Sequence, residues 1–288
     1  MHSREKSQLS PIGDIDITNA ASFLHHNMNQ RFSPAEWERG LKSCWLENAP
    51  NHGFKLTVNG EIVGVICAIY SEQEIDGRKE KFCNPHTWCV LEPFRAKSVN
   101  LVLSLIRQPG FHFTMLSPNR EGEKIFSFLG FKSLDRHKKL LFHVPSLCIL
   151  GRVRISYGEN ISSSHLSPVA RTYFEDHWSF EWLRFLEFER DGRSGFLIFK
   201  QSTYKRLPCA NILYISDKVL FENCWSSIRS WFLLRQGLFT SSIDDRMLVK
   251  PPLLSCSIQP GSAKFYMSES LSAEKIEYIY SELLVMDL

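Results

Sequence analysis

Between His86 and Lys132 the chain reads HTWCVLEPFRAKSVNLVLSLI and then, after a short break, FHFTMLSPNREGEKIFSFLGFK. The order is a β-rich run, a tight polar turn, an amphipathic helix, a second β-rich run, a second helix, and Gly130-Phe131 opening another strand. Strands alternating with helices in this way imply an α/β (α+β) sheet structure. The turn ahead of the first helix also suggests chemistry. A chain entering a helix leaves backbone N–H groups unpaired at the positive end of the dipole, which suits an anion. Arg95 and Lys97 stand at that turn.

The chain has 288 residues, 43% of them hydrophobic and 12% aromatic, enough to bury one large core or two modest ones. A net charge of +3 spread along the chain argues against a nucleic-acid partner, which calls for a basic stripe. Apolar runs such as VGVICAIY fall short of the roughly 18–20 residues of a membrane helix, so no membrane insertion is expected. The polar start, MHSREKSQLSPIGD, lacks the apolar segment of a signal peptide, and the expectation is a soluble, cytoplasmic protein. The eight cysteines form no C-x-x-C pair and mostly sit in apolar runs; buried reduced thiols are expected, with no metal site.

Residues 1–13 read as a lead-in. DIDITNAASFLHHNMNQ has apolar residues at helical spacing, and SPAEWERGLKSCWLEN is a second helix. Ser33 caps the second helix with Pro34 at its first position and Glu36 closing a capping box; Trp37, Leu41, Cys44 and Trp45 mark its buried face. Two β-rich runs flank Asn59-Gly60, a hairpin turn signal, and a polar connection around Asp76-Gly77 leads to the next strand. On that strand the two-residue period puts His86, Trp88 and Val90 on one face.

YGENISSSHLSP, within 157–168, has no apolar period and reads as a linker. Beyond it the pattern partly recurs: a helical segment TYFEDHWSFEWLRFL, a hairpin turning at Asp191-Gly192, the strand ANILYISD, the helix VLFENCWSSIRSWFLLRQ and the strand GLFTSSID. KFYMSES reads as a strand and SAEKIEYIYSELL as a closing helix. The division implied is a unit over 14–156 and a second, degenerate copy over 169–288.

His86–Lys132 resembles the GCN5-related N-acetyltransferase (GNAT) superfamily. That family's acyl-CoA loop, R/Q-x-x-G-x-G/A, looks like Arg95, Ala96, Lys97, Ser98, Val99 and Asn100, following Val90 and Leu91. Its downstream pattern, N-x-x-[A/G]-x-x-[L/I]-Y-x-x-x-G-F, looks like Asn119, then Ile125-Phe126, then Gly130-Phe131. The resemblance covers about residues 14–142, and beyond 165 rests on element order alone. It implies two GNAT-like mixed-sheet units packed in tandem. It also implies a cofactor site for acetyl-CoA or another acyl-CoA at Val90, Leu91, Arg95–Asn100, Asn119 and Phe126.

The two glycine positions hold Ser98 and Asn100. Serine is small enough for close approach, and asparagine tolerates unusual backbone angles. The family's chemistry implies direct attack of an amine on the thioester, with a β-strand N–H polarising the carbonyl and a nearby base taking the amine proton. His86 is the first candidate for that base and Glu92 the second. The family's tyrosine acid matches Phe126, which has no proton to give, so the thiolate must leave unassisted or take a proton from water or Ser117. In the second half, DKVLFENC has no glycine and sets Asp217 and Glu222 where a phosphate would be repelled. No CoA is expected there.

The function expected is acyl-CoA-dependent N-acyl transfer to a small-molecule amine. A general likeness to acyltransferase-like proteins of bacterial surface-polysaccharide synthesis points to an amino sugar. The alternatives are a catalytically silent GNAT-like CoA-binding or interaction module, and an aminoacyl transferase of the peptidyl-tRNA type. A monomer or homodimer is expected.

Overall fold

A computed structural model describes residues 7–134, 137–146, 153–259 and 261–287. By contacts the chain divides into two units. Unit 1 is Met1–Leu134 with Lys264–Ile276 and Tyr280–Met286; unit 2 is Asp135–Ala263 with Glu277–Ile279 and Asp287–Leu288.

In unit 1, α1 (Ile17–Asn27) and α2 (Pro34–Lys42) precede the sheet. The capping box forms: Ser33 N–H donates to Glu36 Oε2 at 2.7 Å, and Glu36 N–H donates to Ser33 Oγ at 3.3 Å. The sheet is built from β1 (Ser7–Pro11), β2 (Gly53–Val58), β3 (Glu61–Ile75), β4 (Arg78–Val90), β5 (His112–Met115) and β6 (Lys132–Ser133). A late strand, β14 (Phe265–Met267), joins them, and the order is β1-β2-β3-β4-β5-β14-β6. All neighbours are antiparallel except β4 and β5, which are parallel. Asn59-Gly60, with φ of 52° and 88°, makes the two-residue turn its sequence calls for. β3 is buried from Val63 to Ser71, as its all-apolar run requires of a central strand. Each fully buried aliphatic side chain there contributes roughly 1.5–3 kcal/mol. On one face Val65 and Cys67 pack under α1 and α2.

In unit 2 the sheet order is β13-β7-β12-β11-β10-β9-β8. The strands are β7 (Lys138–Phe142), β8 (Val153–Tyr157), β9 (Arg184–Arg190), β10 (Arg193–Tyr204), β11 (Leu207–Ile215), β12 (Thr240–Asp244) and β13 (Ser255–Ile258). α5 (Pro168–His177) and the long α6 (Lys218–Gln236) complete it. The core here is aromatic: Phe174 meets Phe185 and Phe196 edge-on, and Phe188 meets Phe221.

Several boundaries differ from the sequence reading. α2 stops at Lys42, and Trp45 instead bridges Ser71 of β3. Asp76-Gly77 is a two-residue hairpin turn with φ of 52° and 75°, and the polar residues expected as a connection on either side of it belong to β3 and β4. The helix of TYFEDHWSFEWLRFL ends at His177, and Arg184 already belongs to β9. The expected linker lies inside unit 2, where Tyr157 ends β8 and Ser167 caps α5, accepting from Ala170 N–H at 3.3 Å. The units part after Leu134, and 264–276 with 280–286 return to unit 1. The expected closing helix is reduced to α7 (Glu282–Val285) behind a 3-10 turn at Ala273–Lys275. Ile276, Tyr278, Ile279 and Tyr280 are all buried, a demand one helical stripe cannot meet.

Seven cysteines are free thiols, with Cys256 exposed, Cys44 and Cys89 half-buried and the other four buried; Cys148 lies outside the described residues. No helix among the described residues is long and apolar enough to cross a membrane.

Candidate active site on the diverging strands of unit 1

The site is organised by an interrupted ladder. β4 and β5 pair only at Phe82↔His112 and Cys83↔Phe113. From Asn84 to Val90 no described strand pairs with β4 on that side, while β3 stays paired along its other edge. The point of divergence is clamped by Asn84, which is 1% exposed. Its Nδ2 donates to Thr114 O at 2.9 Å and Thr114 Oγ1 at 3.1 Å, and its Oδ1 accepts from Glu282 N–H at 3.1 Å.

Just past the clamp β4 bulges. Cys67 pairs with His86 and Ile66 with Trp88, leaving Thr87 unpaired with φ of 50°. A β-branched residue in the left-handed region is strained by about 1–3 kcal/mol. The bulge also breaks the period-two count. Directly paired residues share a face, so His86 lies with Cys67 on the face of α1 and α2. Trp88 and Val90 lie with Ile66 and Gly64 on the other face, where Trp88 meets Phe126 edge-on at 6.1 Å. The single face expected for His86, Trp88 and Val90 is therefore corrected.

His86 is buried, with Nδ1 within 2.8 Å of Thr87 Oγ1 and no partner at Nε2. Burial pulls its pKa down to about 4, so the ring is neutral. Glu92 is exposed at the start of a 3-10 turn, Glu92–Lys97. Ser117 donates to Glu282 Oε1 at 2.6 Å. Glu282 is buried with Oε2 unpartnered; burial raises its pKa, and the bond from Ser117 opposes part of that rise. The sequence reading missed Glu282, Asn84 and Thr87. Only Thr87 sits in the motif stretch, and nothing in sequence marks its backbone angle.

Val90 to Asn100 form one continuous segment into α3 (Ser98–Ile106). The lead-in is helical, so Phe94 N–H is spent on Leu91 O at 2.9 Å and Ser98 N–H on Arg95 O. No position from 91 to 100 has positive φ, which is why the lead-in forms without glycine. Arg95, Ala96 and Asn100 are exposed, Leu91, Ser98 and Val99 part-buried. Lys97 is tied to β1 through Ser7 Oγ at 2.5 Å. The residues free to meet a phosphate are thus Arg95 and the first turn of α3. Asn119 caps α4 (Arg120–Phe128), accepting from Gly122 N–H at 2.8 Å. Phe126, 1% exposed, packs on Trp88 and Phe131.

In unit 2 the corresponding helix start is closed. Asp217 caps α6 by accepting from Leu220 N–H at 2.8 Å, and its other oxygen pairs with Arg193 at 2.7 Å. Among the described residues no group of His, Cys, Asp and Glu is placed to hold a metal ion.

Solved structures match nearly the whole chain. A GCN5-related N-acetyltransferase from Anabaena variabilis matches with TM-score 0.60 and 11% identity, over 91% of this chain and 72% of that one. One from Kribbella flavida matches with TM-score 0.58 and 13% identity, over 91% and 71%. Saccharomyces cerevisiae N-myristoyltransferase, solved with bound myristoyl-CoA, matches with TM-score 0.52 and 11% identity, over 97% and 88%. No protein-family model matches the sequence, and no curated protein matches it. The likeness defines a class by fold: two mixed-sheet units in tandem, each sheet of seven strands among the described residues. That fold is the one seen in the GCN5-related N-acetyltransferases.

Proposed function

We propose that unit 1 binds an acyl-CoA, acetyl-CoA in the simplest case, and transfers the acyl group to a primary amine of a small molecule or amino sugar. The observation that carries the reading is the unpaired edge of β4 from Asn84 to Val90, running into the start of α3. An extended amide-bearing arm can hydrogen-bond to such an edge as an added strand does. A diphosphate at its end meets Arg95 and the helix start. The bound myristoyl-CoA of the yeast neighbour supports the same ligand class.

The amine nitrogen attacks the thioester carbonyl, whose developing charge is met by a backbone N–H near the Thr87 bulge. The C–S bond breaks, the amine loses a proton and the sulfur gains one. Neutral His86 is the acceptor for the first proton. For the second, the Ser117 hydroxyl takes the part that Phe126 cannot: it turns from Glu282 to give its proton to the sulfur and takes one from Glu282, whose protonated form burial favours. Glu92, exposed on the turn, is the weaker candidate for base.

The test is release of free thiol from acetyl-CoA across a panel of amines, amino sugars included. His86→Ala is expected to lower turnover at least tenfold, and Ser117→Ala to lower it less. The buried Phe126 favours a second reading, a silent relative that binds without transfer. Acetyl-CoA binding with background thiol release across the whole panel decides for that reading.

A further inference from the structure

The sheet of unit 2 ends in an edge that its own chain leaves open. β13 pairs with β7 on one side, and among the described residues no strand pairs with it on the other. Phe142 N–H donates to Leu254 O at 2.9 Å, so Leu254 is turned toward β7. Antiparallel alternation then turns Cys256 and Ile258 to β7 as well and leaves the N–H and C=O of Ser255 and Ser257 facing outward. An open row of this kind is a template for another strand, and proteins blunt it with charge, proline or brevity.

The other sheet edges among the described residues are blunted. β8, at the far edge of the same sheet, carries Arg154, whose side chain is 68% exposed. In unit 1, β1 ends on Pro11, and β6 is two residues long with Lys132 exposed. β13 has no such device. From Pro251 to Ala263 the sequence PPLLSCSIQPGSA contains no charged residue, and its prolines fall outside the strand. Lys139 of β7 reaches Ser257 Oγ at 2.9 Å but is also held by Asp245 at 3.9 Å. Leu254, Cys256 and Ile258 share one face. Leu254 is 44% exposed and Cys256 is exposed, so an apolar stripe lies beside the open row.

We infer that β13 pairs antiparallel with β13 of a second copy of this chain, about a two-fold axis at Cys256. In that register Ser255 exchanges two N–H···O=C bonds with the partner's Ser257, and Ser257 exchanges two with the partner's Ser255. Cys256 faces the partner's Cys256 as a non-hydrogen-bonded pair, with Cα atoms about 4.5 Å apart. Leu254 falls opposite the partner's Ile258, an apolar pair on one face. A second copy fits this edge because the strand is complementary to itself, carries no charge to oppose the approach, and closes both open rows in one contact. The contact lies within unit 2 and stands whether or not unit 1 transfers acyl groups.

The experiment measures the mass of the full-length protein by light scattering and then oxidises it mildly with copper phenanthroline in air. So short a pairing calls for a dissociation constant on the order of micromolar, and the protein is loaded from about 10 to 200 micromolar. The expected result is the mass of two chains at the upper end, and a reducible crosslink mapped to Cys256 in both copies. Cys256→Ser should keep the dimer and lose the crosslink. Cys256→Lys sets like charges opposite each other, and Ser257→Pro deletes an outward N–H while sparing the ladder to β7. Each should weaken dimerisation at least tenfold, with melting in dilute solution unchanged, whereas Arg154→Ala at the other edge should leave it intact. If Ser257→Pro fails to fold, Cys256→Lys decides alone. A monomer throughout the range, a dimer indifferent to Cys256→Lys, or a dimer without the Cys256 crosslink overturns the inference.

Discussion

Removing the Asn84 side chain tests the clamp on which the site's geometry depends. Asn84→Ala deletes three hydrogen bonds and leaves two buried backbone groups, Thr114 C=O and Glu282 N–H, without these partners. The position is 1% exposed, so water reaches neither group without local opening. An orphaned buried group costs about 1–3 kcal/mol, so the pair predicts a loss of about 2–6 kcal/mol. Urea unfolding of the full chain, followed by fluorescence at fixed pH, gives the change directly. Thr114→Val removes the hydroxyl end of one bond alone. The double variant should therefore show a coupling of about 0.5 kcal/mol or more with Asn84→Ala. A loss below about 1 kcal/mol for Asn84→Ala would refute the reasoning, because the clamp would then be dispensable. Asn84→Asp keeps the acceptor for Glu282 N–H but loses the amide donor and sets a second carboxylate near Glu282, so it should be no better tolerated.

Two further predictions concern backbone and pH. Gly53 has φ of 120°, and a Cβ there would sit 2.1 Å from Ile66 O, so Gly53→Ala should cost about 3 kcal/mol or more in urea unfolding. Gly60, with φ of 88° and open space around it, should cost only about 1 kcal/mol as alanine, and equal losses at the two sites would contradict the account. Burial lowers the pKa of His86, His143 and His177 to about 4 from 6.5. The unfolded chain takes up these protons first, so their stabilisation is intact above pH 6.5. It is lost as pH falls toward 4, by about 3 kcal/mol for each ring. Glu277 and Glu282, whose pKa values burial raises, act in the opposite sense. Their contribution is full below 4.5 and lost as pH rises through the folded values. Because the two groups oppose each other, the readout is the difference between chains: from pH 7 through 6 to 5 the parent chain should lose more stability than His177→Gln, and identical pH dependence in the two would count against burial of a neutral ring.

Much of unit 1 was legible because local signals and tertiary demand agree there. Ser33, Pro34 and Glu36 specify the start of α2 by chemistry confined to four residues, and Asn59-Gly60 does the same for its turn. The order from β4 to β6 likewise needs only patterning. What escaped is contributed from far along the chain or by backbone geometry. β14 pairs between β5 and β6 although 150 residues separate Met115 from its partner Phe265, and no local period announces that pairing. Glu282 reads in sequence as one more helix residue, yet it arrives beside Ser117 from a second returning segment, Tyr280–Met286. The bulge at Thr87 turned His86 to the face opposite Trp88, and a β-branched residue is the last type one would assign a positive φ. In unit 2 the aromatic runs gave elements but not ends, since Trp178 and Trp182 serve a helix pattern as well as a strand pattern.

The central claim is one acyl-CoA site, in unit 1, at the unpaired edge of β4 and the start of α3. Calorimetric titration of the full chain with acetyl-CoA measures it most directly. The account predicts saturable binding with one equivalent per chain, at least tenfold weaker in Arg95→Ala, and unaffected by Arg193→Ala at the closed helix start of unit 2. Absence of heat with folded protein at high micromolar concentration, or two equivalents bound, would contradict it.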